Sequence, residues 1–359
     1  MGSIERATIV VVPRERFGMA QRSLQSLLTH TPASVPIVYV DGGSPPPLRA
    51  WLQERSRQHG FRLIRTEHPL SPNEARNLGL SEVDTPYVVF SDNDVLVSPG
   101  WLAALVRCAD ETGAWLTSPV CCIGEPAFQL VHVAGGELTL SARPGGYVLR
   151  DHHRDSDRPL AEVLPRVQRS RVTYAEFHVL LVRRDVFDRV GPLDEGLLSS
   201  PEHIDLCLLV QQAGGSIWFE PASVINYVPA RRLTRVDAPY YLLRWSDRWN
   251  RASLEHLRAK WKLAPDDDFC AGQEMWLTDK RLKVFNPAWS LARRMLGWRG
   301  SIGAGRLLEQ TVTRLLIPDE GERRAAHLAY CRERTAPVAR AGASRAFSKA
   351  NGTSGAMIR

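Results

Sequence analysis

The stretch Val88–Trp101, VVFSDNDVLVSPGW, closes an apolar run with Asp92, Asn93 and Asp94 and returns at once to Val95, Leu96 and Val97. Two carboxylates one residue apart repel each other unless positive charge sits between them. The residues upstream say where this pair stands. ATIVVV, PIVYV, FRLI and YVVF read as strands, and Phe17 to Leu28, Leu48 to Gln58 and Asn73 to Leu80 read as the helices between them. That β-α-β-α-β-α-β order, with continuous apolar strands, predicts an α/β fold on a mostly parallel sheet with helices on both faces. Ligands bind such sheets at the carboxyl ends of the strands, where Asp41 and Asp92 both fall. Acidic groups there suit a divalent cation holding a diphosphate, since Mg²⁺ and Mn²⁺ prefer oxygen ligands.

Beyond residue 112 the pattern is less regular. AWLTSPVCC, FQLVHVAGG and YAEFHVLLVRR read as strands, and RDHHRDSDRP between the last two reads as a solvated loop, a reading preferred for His152 and His153 over metal ligation. Residues 203 to 213 read as a helix ended by Gly214 and Gly215, followed by strands at SIWF and SVINYV. From Ala238 the chain becomes helical and rich in Arg and Trp. Residues 336–359 are small and polar, the composition of a disordered tail.

At 359 residues with 44% hydrophobic and 24% charged side chains, the composition is that of a globular protein with a sizeable core. No stretch approaches the ~20 apolar residues of a membrane span, and the N-terminus lacks a secretory pattern. Six cysteines without a C-x-x-C pair argue for buried thiols in a reducing, cytoplasmic setting. The net charge of +7 hides an asymmetry: residues 1–230 hold 21 Lys and Arg against 26 Asp and Glu, residues 231–359 hold 25 against 13. A basic C-terminal part suits an anionic or carrier-protein-bound partner or is a solvated helical surface; no nucleic-acid motif accompanies it.

Four blocks, in order, resemble the family 2 glycosyltransferases of the GT-A fold, which are inverting enzymes using nucleotide-sugars. TIVVVP with Pro13 is similar to the first strand of that family, IVYVDGGS to its second, NEARNLGL to its short helix and VVFSDNDVLVSPGWL to its D-x-D turn. A further block runs from LLVRRDVFDRVGPLDEG to VINY. The resemblance implies a catalytic domain at 1–230, with a nucleotide-sugar half at about 1–112 and an acceptor half at about 113–230, then a basic helical region at 231–335. It implies that Asp41 meets the base, that Pro13, Arg76, Asn77 and Asn93 lie near the nucleotide, that Asp94 is the more direct ligand of Mn²⁺ or Mg²⁺, and that Asp92 reaches ribose or metal. The donor implied is a UDP- or dTDP-type sugar, and the acceptor a small molecule, a carrier-bound group or a glycan.

Two positions depart from the family pattern. Where E-D-x-D is expected the chain has Glu202, His203, Ile204 and Asp205, so that His203 occupies the usual base position; Glu202 and His203 stand equal as the base, with Asp205 next, or as a brace for its helix. Tyr227 stands where the family often places a histidine that can join the metal. Arg231, Arg232 and Arg235 suit a lid over the diphosphate or a solvated loop. Trp245 and Trp249 suit an acceptor surface or helix packing. Alternatives to transfer are a scaffold that binds nucleotide-sugars without turnover and, less well supported, a sugar nucleotidyltransferase.

Overall fold

The computed structural model describes residues 3–229, 233–283, 285, 290–291, 293–297, 307–308 and 311–335. The tail from 336 and the two lid arginines Arg231 and Arg232 lie outside the described residues. In chain order the N-terminal half runs β1 (Ala7–Val12), α1 (Ala20–His30), β2 (Ile37–Gly42), α2 (Pro46–His59), β3 (Arg62–Thr66), α3 (Pro72–Leu80), β4 (Tyr87–Asp92), β5 (Val95–Val97) and α4 (Trp101–Thr112). Next come β6 (Leu116–Ile123), β7 (Leu130–Val133), β8 (Gly136–Arg143), β9 (Gly146–His153), α5 (Leu160–Val163), β10 (Ser170–Val172), β11 (Val179–Arg183), α6 (Phe187–Val190), α7 (Glu202–Gln212) and β12 (Ile217–Tyr227). The helices α8 (Ala238–Arg244), α9 (Asp247–Trp261), α10 (Asp268–Lys283) and α11 (Glu320–Thr335) follow.

One sheet carries the order β10-β12-β6-β11-β4-β1-β2-β3, with β5 added on β12 and β7 on β6; β8 and β9 form a separate hairpin. The pairs β1–β2, β2–β3, β1–β4 and β6–β12 are parallel, while β11 runs antiparallel between β4 and β6. Every residue of β1, β2 and β4 is buried, because their apolar runs are covered on both faces. The α/β expectation is therefore met in a mixed but mostly parallel sheet. Among the described residues no helix is long and apolar enough to cross a membrane.

Helix α3 shows how local sequence positions the site. Ser71 caps it, accepting from the Glu74 amide while the Glu74 carboxylate accepts from the Ser71 amide at 2.7 Å, and Pro72 takes the first turn. Gly79 lets this helix lie against β1, since a Cβ there would fall 2.2 Å from Val10 Cγ1. The close approach turns Arg76 toward the end of β4.

The structure differs from the sequence reading in three places. FQLVHVAGG is divided between β7 and β8 at Gly135, which has φ +79°. In YAEFHVLLVRR only Val179–Arg183 is strand, and Tyr174 to His178 form the approach to it. The supposed loop RDHHRDSDRP begins as strand: Arg150 to His153 pair with Gly136 to Thr139 in the β8–β9 hairpin, leaving His152 exposed and His153 half-buried. The C-terminal helices share the main core, with Tyr240, Leu257, Trp261 and Phe269 in the same apolar cluster as the strands.

Candidate active site

The end of β4 is held from both sides. The Asp92 amide donates to the His178 carbonyl at 3.0 Å and the Asn93 amide to the Val12 carbonyl at 2.9 Å, so the turn is pinned between β11 and β1. The Arg14 amide donates to Asn93 Oδ1 at 3.2 Å. Arg14 Nε lies 3.0 Å from Asp92 Oδ2, and Arg76 Nη2 lies 3.2 Å from Asp92 Oδ1. Two guanidiniums thus neutralise Asp92.

Asp94 is different. It is completely buried, and neither carboxylate oxygen has a hydrogen-bond partner. Burial, with repulsion from Asp92 and Glu15, pushes its carboxyl well above the usual carboxylate range against the pull of Arg14. An orphaned buried carboxylate is the donor chemistry a hard divalent cation takes up, and Asp94 with Asp92 beside it fits such an ion.

Tyr227, at the end of β12, donates to Glu15 Oε1 at 2.7 Å, stacks on the His178 ring at a centroid distance of 4.3 Å and lies under the Arg14 guanidinium. Asp41 stands apart at the end of β2. It accepts from the Ser44 amide at 2.9 Å and the Ser44 hydroxyl at 2.8 Å, and it pairs with Arg65. Pro13 offers its carbonyl to the Tyr240 hydroxyl at 3.4 Å. Asn77 is engaged with the loop before α7: its amide donates to the Leu193 carbonyl at 2.8 Å and Glu195 Oε1 at 2.9 Å.

A cleft of about 440 Å³ opens beside the β4 end, and Arg14, Arg76, Asp92, Glu202, His203 and Trp245 all line it. Glu202 begins α7 and is buried; Arg76 Nη1 reaches its Oε1 at 3.2 Å and Arg244 Nη2 reaches the same atom at 3.1 Å. Burial alone would raise the Glu202 carboxyl, but Arg244 and Arg76 outweigh it and hold the group down to about 2. His203 Nε2 lies 3.1 Å from the Tyr174 hydroxyl, which donates to Glu176 Oε1 at 2.7 Å. Burial lowers the His203 pKa below its ordinary value, against the pull of Glu176 and Glu202. Its imidazole is neutral at pH 7.

Asp205 does not line the cleft. It accepts from Lys260 Nζ and Trp261 Nε1, each at 2.8 Å, and so ties α7 to α9. The two tryptophans also separate. Trp245 stands in the cleft wall, edge-on to Trp276 at 5.5 Å, whereas Trp249 is fully buried, donates to Glu320 Oε2 at 2.7 Å and lies under the Arg323 guanidinium. Trp249 is a packing residue because the C-terminal helix α11 covers it. Arg235 is exposed.

The family model described as glycosyl transferase family 2 matches residues 8–191. The chain belongs to that family. A relative named pre-mycofactocin glycosyltransferase, from Mycobacterium tuberculosis, is 26% identical over 227 residues, covering 63% of this chain and 43% of its own length. The protein y4gI of Sinorhizobium fredii is 24% identical over 308 residues, covering 80% of this chain and 31% of its own. The chain thus spans less than half the length of these curated relatives. Among solved structures, GalNAc-T7 with UDP, GalNAc and Mn²⁺ aligns with a TM-score of 0.50 at 16% identity, covering 72% of this chain and 55% of the other. That likeness speaks for the fold, and the architecture is the GT-A one.

Sequence reasoning missed several residues of this family 2 cleft. Arg14 follows Pro13 directly, and its place after the first strand was a usable signal. Arg244 lies far downstream, at the end of the apolar helix α8, where nothing local ties it to Glu202. Tyr174, Glu176 and His178 sit in a stretch that looks like strand, and only the turn of the chain before β11 brings them to the cleft.

Proposed function

We propose that the chain is an inverting glycosyltransferase that moves a sugar from a UDP- or dTDP-type donor to a small-molecule, carrier-bound or glycan acceptor seated in the cleft. The observation that carries this reading is the buried, unpartnered Asp94 carboxylate one residue from Asp92 at the carboxyl end of β4. Family membership and the shared fold support it.

The donor nucleotide lies over the ends of β1, β2 and β4, with Asp41, Pro13 and Asn93 around the base and ribose and Asn77 holding the neighbouring loop. Asp94, with Asp92, holds the divalent cation, Mn²⁺ or Mg²⁺. When bound, that cation supplies positive charge against the leaving diphosphate. Arg14 and Arg76 fix Asp92 in place beside it.

His203 is the base. Glu202 is held down to about 2 and shared by two guanidiniums, so it is a weak proton acceptor and serves instead to place Arg76 and Arg244. The Tyr174 hydroxyl gives its single proton to Glu176, so its oxygen accepts from His203 Nε2–H and leaves Nδ1 free to take the acceptor's proton. The acceptor oxygen then bonds to the anomeric carbon as the bond to the diphosphate breaks on the opposite face. Alignment of the two partners in one cleft supplies much of the rate. The test is release of nucleoside diphosphate from a panel of UDP- and dTDP-sugars with Mn²⁺. A rise in melting temperature with a donor plus Mn²⁺, lost in Asp94→Asn, is expected; no response to any donor overturns the reading.

A further inference from the structure

In the cleft wall, reached from His203 through Tyr174, three chain segments bring imidazoles around one carboxylate. His132 comes from β7, His153 from the end of β9, and Glu176 and His178 from the approach to β11. His132 Nε2 lies 3.2 Å and His178 Nε2 3.5 Å from Glu176 Oε2. The His132 and His153 rings meet edge-on at 5.8 Å, and those of His132 and His178 at 5.6 Å. All four residues line the cleft.

As a network of hydrogen bonds this cluster is poor. Glu176 Oε2, His153 Nε2 and His178 Nδ1 are all buried without a hydrogen-bond partner. His153 Nε2 is 3.3 Å from Asp151 Oδ2, but off the line a hydrogen bond needs. Unsatisfied buried groups are costly: His178 Nδ1 faces Asp92 Oδ2 at 3.4 Å, but Glu176 Oε2 and His153 Nε2 stand in one cluster with His132 and call for something that engages them together. In tautomers that leave these nitrogens unprotonated, imidazole nitrogen and carboxylate oxygen all offer lone pairs, and a single cation takes several lone pairs at once where a hydrogen serves one.

We infer that His132, His153 and Glu176 form a binding site for a first-row divalent transition ion of the Zn²⁺ class, with His178 beside it and an open position facing the cleft. The ligand atoms of His132, His153 and Glu176 all lie within 4.8 Å of one another, so small rotamer movements bring them to a common ion at ~2.0–2.2 Å. Two imidazoles and one carboxylate are the donor set such ions take, and three protein ligands leave a position for an oxygen of a bound molecule. The ligand carboxylate is held from behind: Tyr174 donates to Glu176 Oε1 at 2.7 Å and leaves Oε2 for the ion. Cys121 can form a second grouping with Glu176 and His178, but it is buried and does not line this cleft.

The site is separate from Asp94 and takes a different class of ion, nitrogen-ligated instead of oxygen-ligated. It stands on the acceptor side of the cleft, where His203 shares Tyr174 with it. The open position therefore suits an acceptor that offers a hydroxyl, carboxylate or phosphate oxygen to the ion.

The test uses the full-length chain stripped of metal and titrated with Co²⁺ alone, without donor or acceptor. One equivalent should bind with the visible ligand-field band of a four- or five-coordinate site, and Zn²⁺ should displace it. His132→Ala and His153→Ala should each abolish the band, Tyr174→Phe should weaken binding ~10–100-fold, and Asp94→Asn and His152→Ala should leave it intact. Far-ultraviolet circular dichroism of each variant shows whether it is folded; Glu176→Gln, which keeps the shape and the Tyr174 contact, serves where a histidine variant unfolds. Absence of a stoichiometric band, a band that survives in the folded histidine variants or in Glu176→Gln, or one lost in Asp94→Asn would overturn the inference. Because no sugar is present, this outcome is read independently of whether the chain transfers one.

Discussion

Arg244 Nη2 meets Glu202 Oε1 at 3.1 Å, across 42 residues of chain, in a position where both side chains are buried. The contact joins helix α8 to the first turn of α7. A buried charge left wholly alone costs ~3–5 kcal/mol, but Glu202 keeps Arg76 at 3.2 Å when Arg244 is removed. Arg244→Met is expected to lower stability by less than that, measured by urea unfolding, and Arg76→Met with Arg244→Met together by more than either alone.

The same contact sets a pH dependence. Glu202 is held at about 2, below the 4.5 of the free side chain, so the stability it contributes is full above about 4.5 and is lost as pH falls toward about 2. At ~1.36 kcal/mol per pKa unit the contribution is about 3 kcal/mol. The fall in melting temperature between pH 5 and pH 3 should therefore be shallower in Glu202→Gln than in the parent. An equally steep fall removes Glu202 from that role.

Asp94→Asn should cost the resting fold little or raise its stability, since it removes a buried carboxylate with no partner. The same variant should lose the part of donor-induced stabilisation that depends on Mn²⁺. Thermal unfolding with and without the ion reads both effects at once.

His203→Ala should lower kcat ~10²–10⁴-fold while donor-induced stabilisation persists. Since burial holds the His203 pKa below its ordinary value, the basic form survives to lower pH. The acidic limb of kcat/KM should accordingly lie below ~6.5. Glu202→Gln, which removes one of the charges pulling the His203 pKa up, should move that limb lower still, whereas a limb belonging to Glu202 itself would vanish.

Gly79→Ala places a methyl 2.2 Å from Val10 Cγ1, on a strand buried on both faces. Neither partner has room to move, and a loss of ~1–3 kcal/mol is expected. If α3 shifts, Arg76 shifts with it, so donor binding should weaken along with stability.

What was legible in the sequence follows the distance over which each signal acts. The strands β1 to β4, the helix α3 and the acidic turn are local, and they were readable from apolar runs and from Asp92 with Asp94; the Ser71–Glu74 cap of α3 is equally local but was not read. Glu202 and His203 were placed by a motif, but the charges that separate their properties were not, because Arg244 and Tyr174 reach them only through the folded chain. Trp245 and Trp249, four apart on paper, diverge because one helix ends at Arg244 and another starts at Asp247, so a turn stands between them. His153 was hidden by its polar neighbours, which reflect a hairpin wet on one side.

The family match stops at residue 191, yet Arg244, Trp245 and Trp276 stand in the wall of the cleft. The cleft thus joins a part inside the family match to a cover outside it, and on the proposed function the first seats the donor and the second meets the acceptor. Among relatives, exchange of the segment equivalent to α8–α10 should carry acceptor preference with it while the preferred nucleotide stays behind. That outcome would make one half of the cleft a shared socket and the other an interchangeable adaptor.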